Sequence, residues 1–298
     1  MKFGIVLLAI GLPDYGKLAL NMAISIRHFS GDLPIQLIHD STSISGIKDN
    51  LPSIFDVITE IDEKDCRLNG KVYPAKAKLS LFKYAAFDRN LYLDVDGVAI
   101  KDLRPFFEAE RKFYESEVQG WGDLTIHDYG LKMQWSNGSV ISEHYGLPTS
   151  TMMPFINSSA QYFDKSKESE LLFQCALDNL NNPIPAKELY KGWGKKLEHR
   201  QPDELYMNIA LAQRGVDPTC SDKLVYFHLR NEPGLPMAQV KSDYYVLGCY
   251  GSLGTNHRRI YEVYDTTMRI AMKSVLGQSH VFKIDNLMTS KFMVYEPN

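Results

Sequence analysis

The sequence predicts an α/β fold in which a mostly parallel, mixed sheet is flanked by helices. The 298-residue chain opens on an uninterrupted apolar run over residues 3–10, which is typical of a strand buried on both faces. Leu18, Met22 and Ile26 follow at helical spacing and predict a helix. Strand-like and helix-like segments then alternate through most of the chain, and this alternation favours a mostly parallel sheet with helices on both faces.

The individual elements follow from the same two periodicities. Strands are predicted at 3–10, 34–39, 55–61, 90–93, 153–157 and 224–227. Helices are predicted at 15–28, 75–87, around 172–180, 202–213 and 259–276. Pro202, Asp203 and Glu204 suit the first turn of a helix. Residues 107–154 are predicted to be irregular, and their Trp, Tyr, Gly and His residues indicate a segment that faces a substrate.

The composition indicates an ordinary folded protein without a strong electrostatic preference. The chain is 44% hydrophobic and 23% charged, as globular domains are. Its net charge of −3 gives no global basic field that would recruit nucleic acid or an anionic membrane. The length suits one large domain or two small ones. We expect a main domain over residues 1–232, and an extension of loops and one helix over 233–298 that packs on it.

Neither the cysteines nor the N-terminus indicates export. The four cysteines are far apart and have neither zinc-site nor disulfide-framework spacing, so we expect reduced packing residues at Cys66, Cys175, Cys220 and Cys249. The apolar run at the N-terminus is short and lacks a convincing signal-peptide cleavage site after it. No stretch is long enough to span a bilayer. The sequence therefore predicts a cytoplasmic protein without a membrane span.

Two carboxylates at the end of a predicted strand provide the clearest chemical signal. Residues 91–97 read Leu-Tyr-Leu-Asp-Val-Asp-Gly, and an extended backbone would place Asp94 and Asp96 on one side. Close carboxylates repel each other unless a cation lies between them or one of them holds a proton. A hard divalent ion, Mn²⁺ or Mg²⁺, suits oxygen ligands of this kind. The tripeptide alone is also compatible with a solvated strand end, since it is frequent by chance.

Further motifs follow one another in a defined order along the chain. They are Tyr15 after the first strand and turn, Lys78 sixteen residues before Asp94, Asp94-Val95-Asp96 itself, Phe155-Ile156-Asn157-Ser158-Ser159, Gln201-Pro202-Asp203-Glu204 with Asn208, and Tyr226-Phe227-His228. This order resembles family 8 of the glycosyltransferases, the glycogenin-like and lipopolysaccharide-galactosyltransferase-like enzymes. The resemblance implies the GT-A fold, a Rossmann-like fold that binds nucleotide-diphosphate sugars, and makes residues 1–232 the catalytic domain.

For the donor, the resemblance implies that Tyr15 lies against the nucleotide base, with Ala9 and Asp14 at the edge of that base. An aromatic face stacks on any base, although a surface tyrosine that covers the helix start is the alternative. Lys78 would reach the phosphate or the sugar of the donor as a mobile cation. Since Lys76 and Lys83 are close in sequence, a generic basic helix face is the alternative there.

For the transferred sugar, the resemblance implies contacts from Asn157 and Asp203. Asn157 would touch the sugar, and Asp203 would bind its hydroxyls or lie near the reacting carbon. The match is partial, because Ser158 or Ser159 replaces a glycine of the family motif and Glu204 stands where the family often has glutamine. Asp203 is also compatible with a simple role in capping its helix.

For the metal, the resemblance implies that His228 joins Asp94 and Asp96 as the third ligand, and imidazole is acceptable to manganese. The family motif continues with a lysine that holds the leaving diphosphate, whereas this chain reads Leu-Arg-Asn-Glu-Pro-Gly over residues 229–234. Arg230 is one candidate for that cation. The other is the basic segment 251–259, which opens a helix whose N–H groups suit phosphate, or which merely caps that helix.

Three other interpretations stay open at this point. The Asp-Val-Asp-Gly sequence also resembles haloacid-dehalogenase-like phosphatases, whose first motif normally lies on the first core strand. A nucleotidyltransferase of related fold is the second, although residues 11–14 do not supply its usual glycine-rich loop with Arg and Lys. The third is a binding protein without activity, which would be expected to have lost a carboxylate or the histidine.

The sequence thus predicts a metal-dependent glycosyltransferase that uses a nucleotide-diphosphate sugar, most of all a UDP-sugar. Retention of anomeric configuration is implied by the resemblance alone. The acceptor stays open among a glycan, a lipid-linked glycan, a protein and, against the net charge, DNA. Aromatic residues within 121–145, together with Trp193, are predicted to stack on a sugar or a base.

Overall fold

The computed structural model describes residues 2–45, 47, 51–68, 70–125, 136–185, 188, 202–226, 236–248, 258–277, 282–283 and 293–294. The chain forms two compact units of discontinuous sequence. Unit 1 comprises Met1–Ile61, Ala85–Arg111 and Ser221–Asn298, and unit 2 comprises Asp62–Tyr84 and Lys112–Cys220. No helix among the described residues is both long enough and apolar enough to cross a membrane. The division into residues 1–232 and 233–298 stays a prediction.

Strands and helices alternate along much of the chain. The strands are β1 Phe3–Ala9, β2 Ile35–His39, β3 Val57–Glu60, β4 Arg67–Leu68, β5 Lys71–Val72, β6 Arg89–Leu93, β7 Gly97–Ala99, β8 Tyr114–Asp123, β9 Met152–Asp164, β10 Val225–Tyr226, β11 Val246–Gly248, β12 Phe282–Lys283 and β13 Met293–Val294. The helices are α1 Pro13–Ser30, α2 Leu51–Ile54, α3 Glu63–Cys66, α4 Pro74–Leu79, α5 Leu81–Tyr84, α6 Arg104–Glu108, α7 Gly138–Tyr145, α8 Lys167–Asn181, α9 Asp203–Arg214, α10 Met237–Asp243 and α11 Arg258–Leu276. The predicted α/β fold, with a mostly parallel, mixed sheet flanked by helices, is confirmed.

The main sheet of unit 1 has the strand order β3-β2-β1-β6, and each neighbouring pair is parallel. Val6 on β1 lies opposite Gln36 on one side and Tyr92 on the other. All of β2, and β1 beyond Phe3, is buried, as expected for strands covered by helices on both faces. One covering helix is α1, whose Asn21 side chain donates to the Tyr264 hydroxyl of α11 at 2.9 Å.

A smaller sheet in unit 1 has the order β10-β11-β7, in which β10 and β11 are parallel and β7 is antiparallel to β11. Gly97 opens β7 directly after Asp96. A Cβ atom on Gly97 would lie 2.9 Å from the Leu247 carbonyl oxygen of β11, closer than such atoms normally come. The glycine that follows the two aspartates therefore allows β7 and β11 to approach each other.

Unit 2 is built on the antiparallel pair β8 and β9, with α9 packed on β9 and α8 packed on α9. The pairing runs from Tyr114 opposite Phe163 to Asp123 opposite Met152. Tyr114 and Phe163 are buried and meet Phe173 of α8 edge to face, with ring centroids 6.1 and 4.9 Å apart. Unit 2 therefore has a hydrophobic core of its own.

Some predicted elements are wrong. Residues 107–154, predicted to be irregular, contain β8 and α7. Glu, Gln and Gly interrupt the apolar alternation that marks a strand, so β8 depends on its pairing with β9. The helix predicted at 75–87 is divided into α4 and α5, and the Ser80 hydroxyl between them donates to the Lys76 carbonyl at 2.8 Å, a type of bond that bends helices. Beyond residue 233, α10 and β11 lie where only loops are predicted before the last helix.

The other predicted elements occur where the described residues allow comparison, although their ends differ. β9 extends well beyond its predicted end at 157. The described part of β10 is Val225–Tyr226, and Phe227 lies outside the described residues. Cys66, Cys175 and Cys220 form no disulfide within the described part of the chain, as predicted, and Cys249 lies outside it.

Candidate functional site

The carboxyl ends of β1, β2 and β6 share one edge of the unit 1 sheet, because these neighbouring strands are parallel. Ala9 ends β1, Asp40 follows β2 and Asp94 follows β6. Ligands of α/β proteins collect at this edge. The fold therefore brings Ala9 and Asp94, two residues that the sequence assigned to the site, to the same edge.

Asp40 fixes the turn between β1 and α1, a role that the sequence did not reveal. Asp40 is 5% exposed, and its carboxylate accepts hydrogen bonds from Gly11 N at 3.0 Å and from Ser43 N at 2.9 Å. The Ser43 hydroxyl donates to the Ala9 carbonyl at 2.7 Å. Gly11 has a φ of 90°, which favours glycine. The turn that leads to Tyr15 is thus held by hydrogen bonds from the end of the neighbouring strand.

Asp14 and Tyr15 lie in the first turn of α1, and both are half-buried. An acidic residue suits this end of a helix, and Lys17 Nζ lies 3.8 Å from the Asp14 carboxylate. The start of α1 approaches the segment after β2 so closely that a Cβ atom on Gly16 would lie 2.0 Å from the Ser43 carbonyl oxygen. Gly16 therefore determines how close to this sheet edge Tyr15 can lie.

Asp94 and Asp96 belong to the short connection between β6 and β7. Both are half-buried, and the Tyr92 hydroxyl donates to Asp94 Oδ1 at 2.5 Å. Val95 and Asp96 lie in a bend, so the extended backbone assumed for them from the sequence is wrong. Two half-buried carboxylates separated by one residue are oxygen donors that suit a hard divalent cation.

The other predicted ligands lie outside the described residues: His228, assigned to the metal, and Arg230, assigned to the leaving diphosphate. Within the described part of the chain, no group of three His, Cys, Asp or Glu side chains is placed to hold a metal ion. Asp94 and Asp96 fit a metal as a pair, because Mg²⁺ is commonly held by one or two carboxylates together with substrate phosphates.

In unit 2, the segment around Asn157 departs from regular pairing. Ser116 lies opposite Gln161, whereas the next residue of β8, Glu117, lies opposite Asn157, so residues 158–160 form a bulge in β9. The Ser116 hydroxyl lies 3.0 Å from the carbonyl oxygens of Asn157 and Ala160, and it bridges the two ends of the bulge. Bulges of this kind re-aim side chains and are frequent beside active sites.

Three motifs that are distant in sequence meet at this bulge. Lys78 Nζ on α4 donates to Ser158 Oγ at 3.4 Å and lies 3.9 Å from Asp203 Oδ2 on α9. Ser158 Oγ in turn lies 3.4 Å from Glu204 Oε1. The lysine and Asp203 side chains are each 15% exposed. The structure thus brings Lys78, Asp203 and the neighbour of Asn157 together, and their predicted roles stay predictions.

Lys83 has different surroundings, which argues against a uniform basic helix face. Its Nζ atom lies 2.6 Å from the Asp65 carboxylate, 3.0 Å from that of Asp62 and 3.0 Å from the Tyr84 hydroxyl. The hydrogen bond to Asp65 is the main cause of a raised Lys83 pKa. Lys83 is therefore committed to a local ion-pair network, whereas Lys78 faces the bulge.

Helix α9 is tied to β9 at two points. The Asn208 side chain, which is buried, accepts a hydrogen bond from Ile156 N at 3.1 Å. Glu204 Oε1 accepts from Ser158 N at 3.5 Å. Pro202 occupies the N-cap position, so Asp203 lies in the first turn, where its charge suits the helix dipole. Asn208 therefore fixes Asp203 relative to Asn157.

Glu117 lies beside Asn157, a predicted site residue, and sequence reasoning did not single it out. Asn157 Nδ2 donates to Glu117 Oε2 at 3.5 Å. Burial raises the pKa of Glu117 to about 6, and the Asn157 hydrogen bond offsets part of this rise. Its sequence context gave no signal, because only the register of β8 against β9 places Glu117 opposite Asn157.

The aromatic residues predicted to contact a substrate differ in their exposure and in their hydrogen-bond partners. Trp121 on β8 is 43% exposed. His144 and Tyr145 on α7 form hydrogen bonds with the end of α8. His144 Nε2 and the Tyr145 hydroxyl both lie 3.0 Å from the Asn182 carbonyl oxygen. Outside the described residues lie His127, Tyr129, Trp135, Trp193 and residues 251–257.

Comparison with known proteins gives matches in structure but none in sequence. No protein-family model and no curated protein matches the chain. The galactosyltransferase LgtC, solved with donor and acceptor sugar analogs, is 14% identical with a TM-score of 0.54, over 89% of this chain and 95% of that one. The bifunctional glycosyltransferase WbbM in its apo structure is 13% identical with a TM-score of 0.55, over 90% and 49%. The apo form of the glycosyltransferase GlyE of Streptococcus pneumoniae is 15% identical with a TM-score of 0.52, over 95% and 67%.

These similar structures are glycosyltransferases, and they confirm the predicted GT-A-type fold. Identities of 13–15% establish a shared fold and nothing finer. The roles of individual residues therefore depend on the geometry of this chain.

Proposed function

We propose that this protein is a glycosyltransferase that moves a sugar from a nucleotide-diphosphate sugar, most of all a UDP-sugar, to an acceptor hydroxyl. One observation carries the proposal: Lys78, Ser158 beside Asn157, and Asp203 come from three separate motifs and meet in one cluster. A cation, a hydroxyl, an amide and a carboxylate are the groups that recognise a sugar and its phosphate. The fold shared with glycosyltransferases supports the same conclusion.

The metal and phosphate roles are assigned as follows. Asp94 and Asp96, together with His228, would hold Mn²⁺ or Mg²⁺, and such an ion would supply positive charge against the diphosphate. Lys78 presents its ammonium group to the phosphate or the sugar of the donor. Arg230 is assigned to the leaving diphosphate, in place of the lysine of the family motif.

The nucleoside and sugar roles follow from the two sheet regions. Tyr15 stacks on the base, and Ala9 and Asp14 lie at the base edge. Asn157 and Asp203 hold hydroxyls of the transferred sugar, since an amide can donate and accept while a carboxylate accepts from hydroxyl groups.

In the proposed reaction, the acceptor oxygen forms a bond with C1 of the donor sugar, and the bond from C1 to the phosphate oxygen breaks. Retention of configuration at C1 is proposed on the resemblance alone. The acceptor class is a glycan, a lipid-linked glycan or a protein in preference to DNA, because the net charge of −3 does not favour nucleic acid. Location in the cytoplasm stays a prediction.

A panel of donors tests the proposal. The purified protein is incubated with Mn²⁺ and with UDP-, GDP- and ADP-sugars in turn, and release of the nucleoside diphosphate is measured. We expect release from at least one UDP-sugar, faster than from any ADP-sugar. Release of pyrophosphate from a nucleoside triphosphate would indicate a nucleotidyltransferase, and hydrolysis of phosphate monoesters would indicate a phosphatase. No turnover of any sugar nucleotide would overturn the proposal.

A further inference from the structure

A half-buried carboxylate lies beside Asn157 on the neighbouring strand. Glu117 of β8 is the cross-strand partner of Asn157, whose amide donates to Glu117 Oε2 at 3.5 Å. Within the described part of the chain, this is the one hydrogen bond given to the Glu117 carboxylate, and no cation pairs with it. A carboxylate that is partly removed from water is usually compensated more fully than this.

Another glutamate of the same strand shows how a structural carboxylate is accommodated. Glu115 Oε1 accepts a hydrogen bond from Lys112 N at 2.9 Å. Among the described residues, Glu117 has only the longer contact with Asn157, and its partial burial raises its pKa to about 6. A group whose charged form is destabilised in this way costs folding free energy, and such groups concentrate at functional positions.

The surroundings of Glu117 suit a step at the sugar. Its partner Asn157 is assigned to the transferred sugar in the proposed function, and the bulge of β9 begins at the next residue. The charged groups gathered at that bulge are Lys78 on α4, and Asp203 and Glu204 on α9. Glu117 contacts Asn157 and pairs with none of these three groups, so its carboxylate is not committed to balancing their charges.

We propose that Glu117 is a catalytic residue of the transfer described above, with its carboxylate accepting the proton of the acceptor hydroxyl. As the acceptor oxygen bonds to C1, its O–H bond breaks and the proton passes to Glu117. The electron pair of the bond from C1 to the phosphate oxygen leaves with the nucleoside diphosphate, so no further reactant is needed. A general base is most effective when its pKa lies near the working pH, which is where burial places Glu117.

The test compares Glu117→Gln and Glu117→Asp with Glu115→Gln, a matched control on the same strand. Glutamine can still accept the hydrogen bond from Asn157, but it cannot accept a proton. The assay is Mn²⁺-dependent release of UDP from the UDP-sugar that the wild type uses fastest, with water as the acceptor, at pH values from about 5 to about 8. Calorimetry measures two affinities for each protein. The first is the affinity for the same UDP-sugar without metal, where no reaction occurs, and the second is the affinity for UDP in the presence of Mn²⁺.

We expect kcat of Glu117→Gln to fall by about 100-fold or more, while its affinities stay within about threefold of wild type. Glu117→Asp should keep part of the activity, and Glu115→Gln should resemble the wild type. The wild-type rate should fall below about pH 6, and the residual rate of Glu117→Gln should lose this dependence. If the melting temperatures of the variants equal or exceed that of the wild type, the loss of activity is not caused by unfolding.

Two results would overturn the inference. A kcat of Glu117→Gln close to that of the wild type, with the same pH profile, would point to the leaving phosphate as the proton acceptor. A loss of nucleotide affinity in parallel with kcat would mean that Glu117 shapes the donor site through Asn157. The inference rests on the proposed function. If the wild type turned over no sugar nucleotide, the proposed function and the role of Glu117 would both be overturned, and the wild-type measurement alone identifies this outcome.

Discussion

Lys78 and Lys83 are close in sequence, yet they differ in exposure and in the groups that they contact. Lys78 is 15% exposed and donates to Ser158 at 3.4 Å, whereas Lys83 is 51% exposed and pairs with Asp65 at 2.6 Å. An exposed ion pair contributes little to stability, so Lys83 matters little to either fold or chemistry. A largely buried ammonium group that faces a hydroxyl and a carboxylate is better suited to bind a phosphorylated sugar.

Lys78→Ala should lower kcat/KM for the donor by roughly 10- to 100-fold, because a charge-assisted hydrogen bond is worth about 1.5–3 kcal/mol. Lys83→Ala is the matched control and should leave kcat/KM near the wild-type value. Steady-state kinetics with the preferred UDP-sugar compares the two variants. Equal losses in both would mean that the helices present only a general basic surface.

Glu117 provides a prediction about stability that does not depend on any substrate. Its pKa is raised from 4.5 to about 6 on folding, so its ionised form reduces the free energy of unfolding as pH rises through this range. At pH values of about 7.5, Glu117→Gln should raise the free energy of unfolding by up to about 2 kcal/mol. The difference should disappear below about pH 4, where both side chains are neutral.

Urea denaturation at both pH values measures this difference for Glu117→Gln. A variant that is less stable than the wild type at both pH values would show that the carboxylate is satisfied by its surroundings, against the account of burial given above.

At the scale of elements, two close approaches determine the shape of the unit 1 sheet edge. Gly16 at the start of α1 faces the Ser43 carbonyl oxygen, and Gly97 at the start of β7 faces the Leu247 carbonyl oxygen. Backbone atoms cannot move aside as a flexible side chain can, so a methyl group at either position forces a shift of a whole segment. These glycines place Tyr15 and Asp96, respectively, beside the ends of the parallel strands.

Gly16→Ala should therefore destabilise the protein by at least about 1–3 kcal/mol, since its Cβ atom would lie 2.0 Å from a backbone oxygen. Gly120→Ala in β8 is the control, because its Cβ atom would meet only the Phe155 ring at 3.5 Å. Free energies of unfolding from urea titration compare the two. If Gly16→Ala were as stable as Gly120→Ala, the close packing of α1 on the segment after β2 would be wrong.

The sequence predicted the elements with clear periodicity and missed those that depend on partners. β1, α1 and β2 carry long apolar patterns, and all three occur as predicted. β8 mixes Glu, Gln and Gly with few apolar residues, so nothing local marks it as a strand before β9 pairs with it.

The residues of the candidate site also fall into two groups, those that the sequence indicated and those that it did not. Lys78, Asn157 and Asp203 could be singled out from the sequence because each belongs to a motif with a recognisable spacing, and their roles stay predictions. Asp40 and Glu117 were missed because their roles arise from parallel neighbours and strand register, which no local pattern records. The backbone between Asp94 and Asp96 was predicted as extended, since a bend of that kind leaves no clear trace in residue type.

At the scale of the whole molecule, fold and chemistry rest on different observations. The fold is shared with glycosyltransferases at identities of 13–15%, which leaves room for wide changes in substrate. The proposed chemistry depends on side chains in the motifs noted in the sequence, above all Asp94, Asp96, Lys78 and Asp203, and their roles stay predictions. Ser158 and Glu204, which differ from the family pattern, lie in the same cluster as Lys78, so they are where donor preference is expected to change.

The central claim is that transfer from a nucleotide sugar depends on a metal held by Asp94 and Asp96. The most direct test measures release of UDP from the preferred UDP-sugar by the wild type, Asp94→Asn and Asp96→Asn. Each protein is assayed with Mn²⁺, after addition of EDTA, and again after Mn²⁺ is restored. We expect the wild type to lose activity in EDTA and regain it with Mn²⁺. Both variants should lose metal-dependent turnover yet stay folded by circular dichroism, because neutral side chains relieve carboxylate repulsion in the metal-free protein. Full activity in EDTA, or in either variant, would contradict the claim.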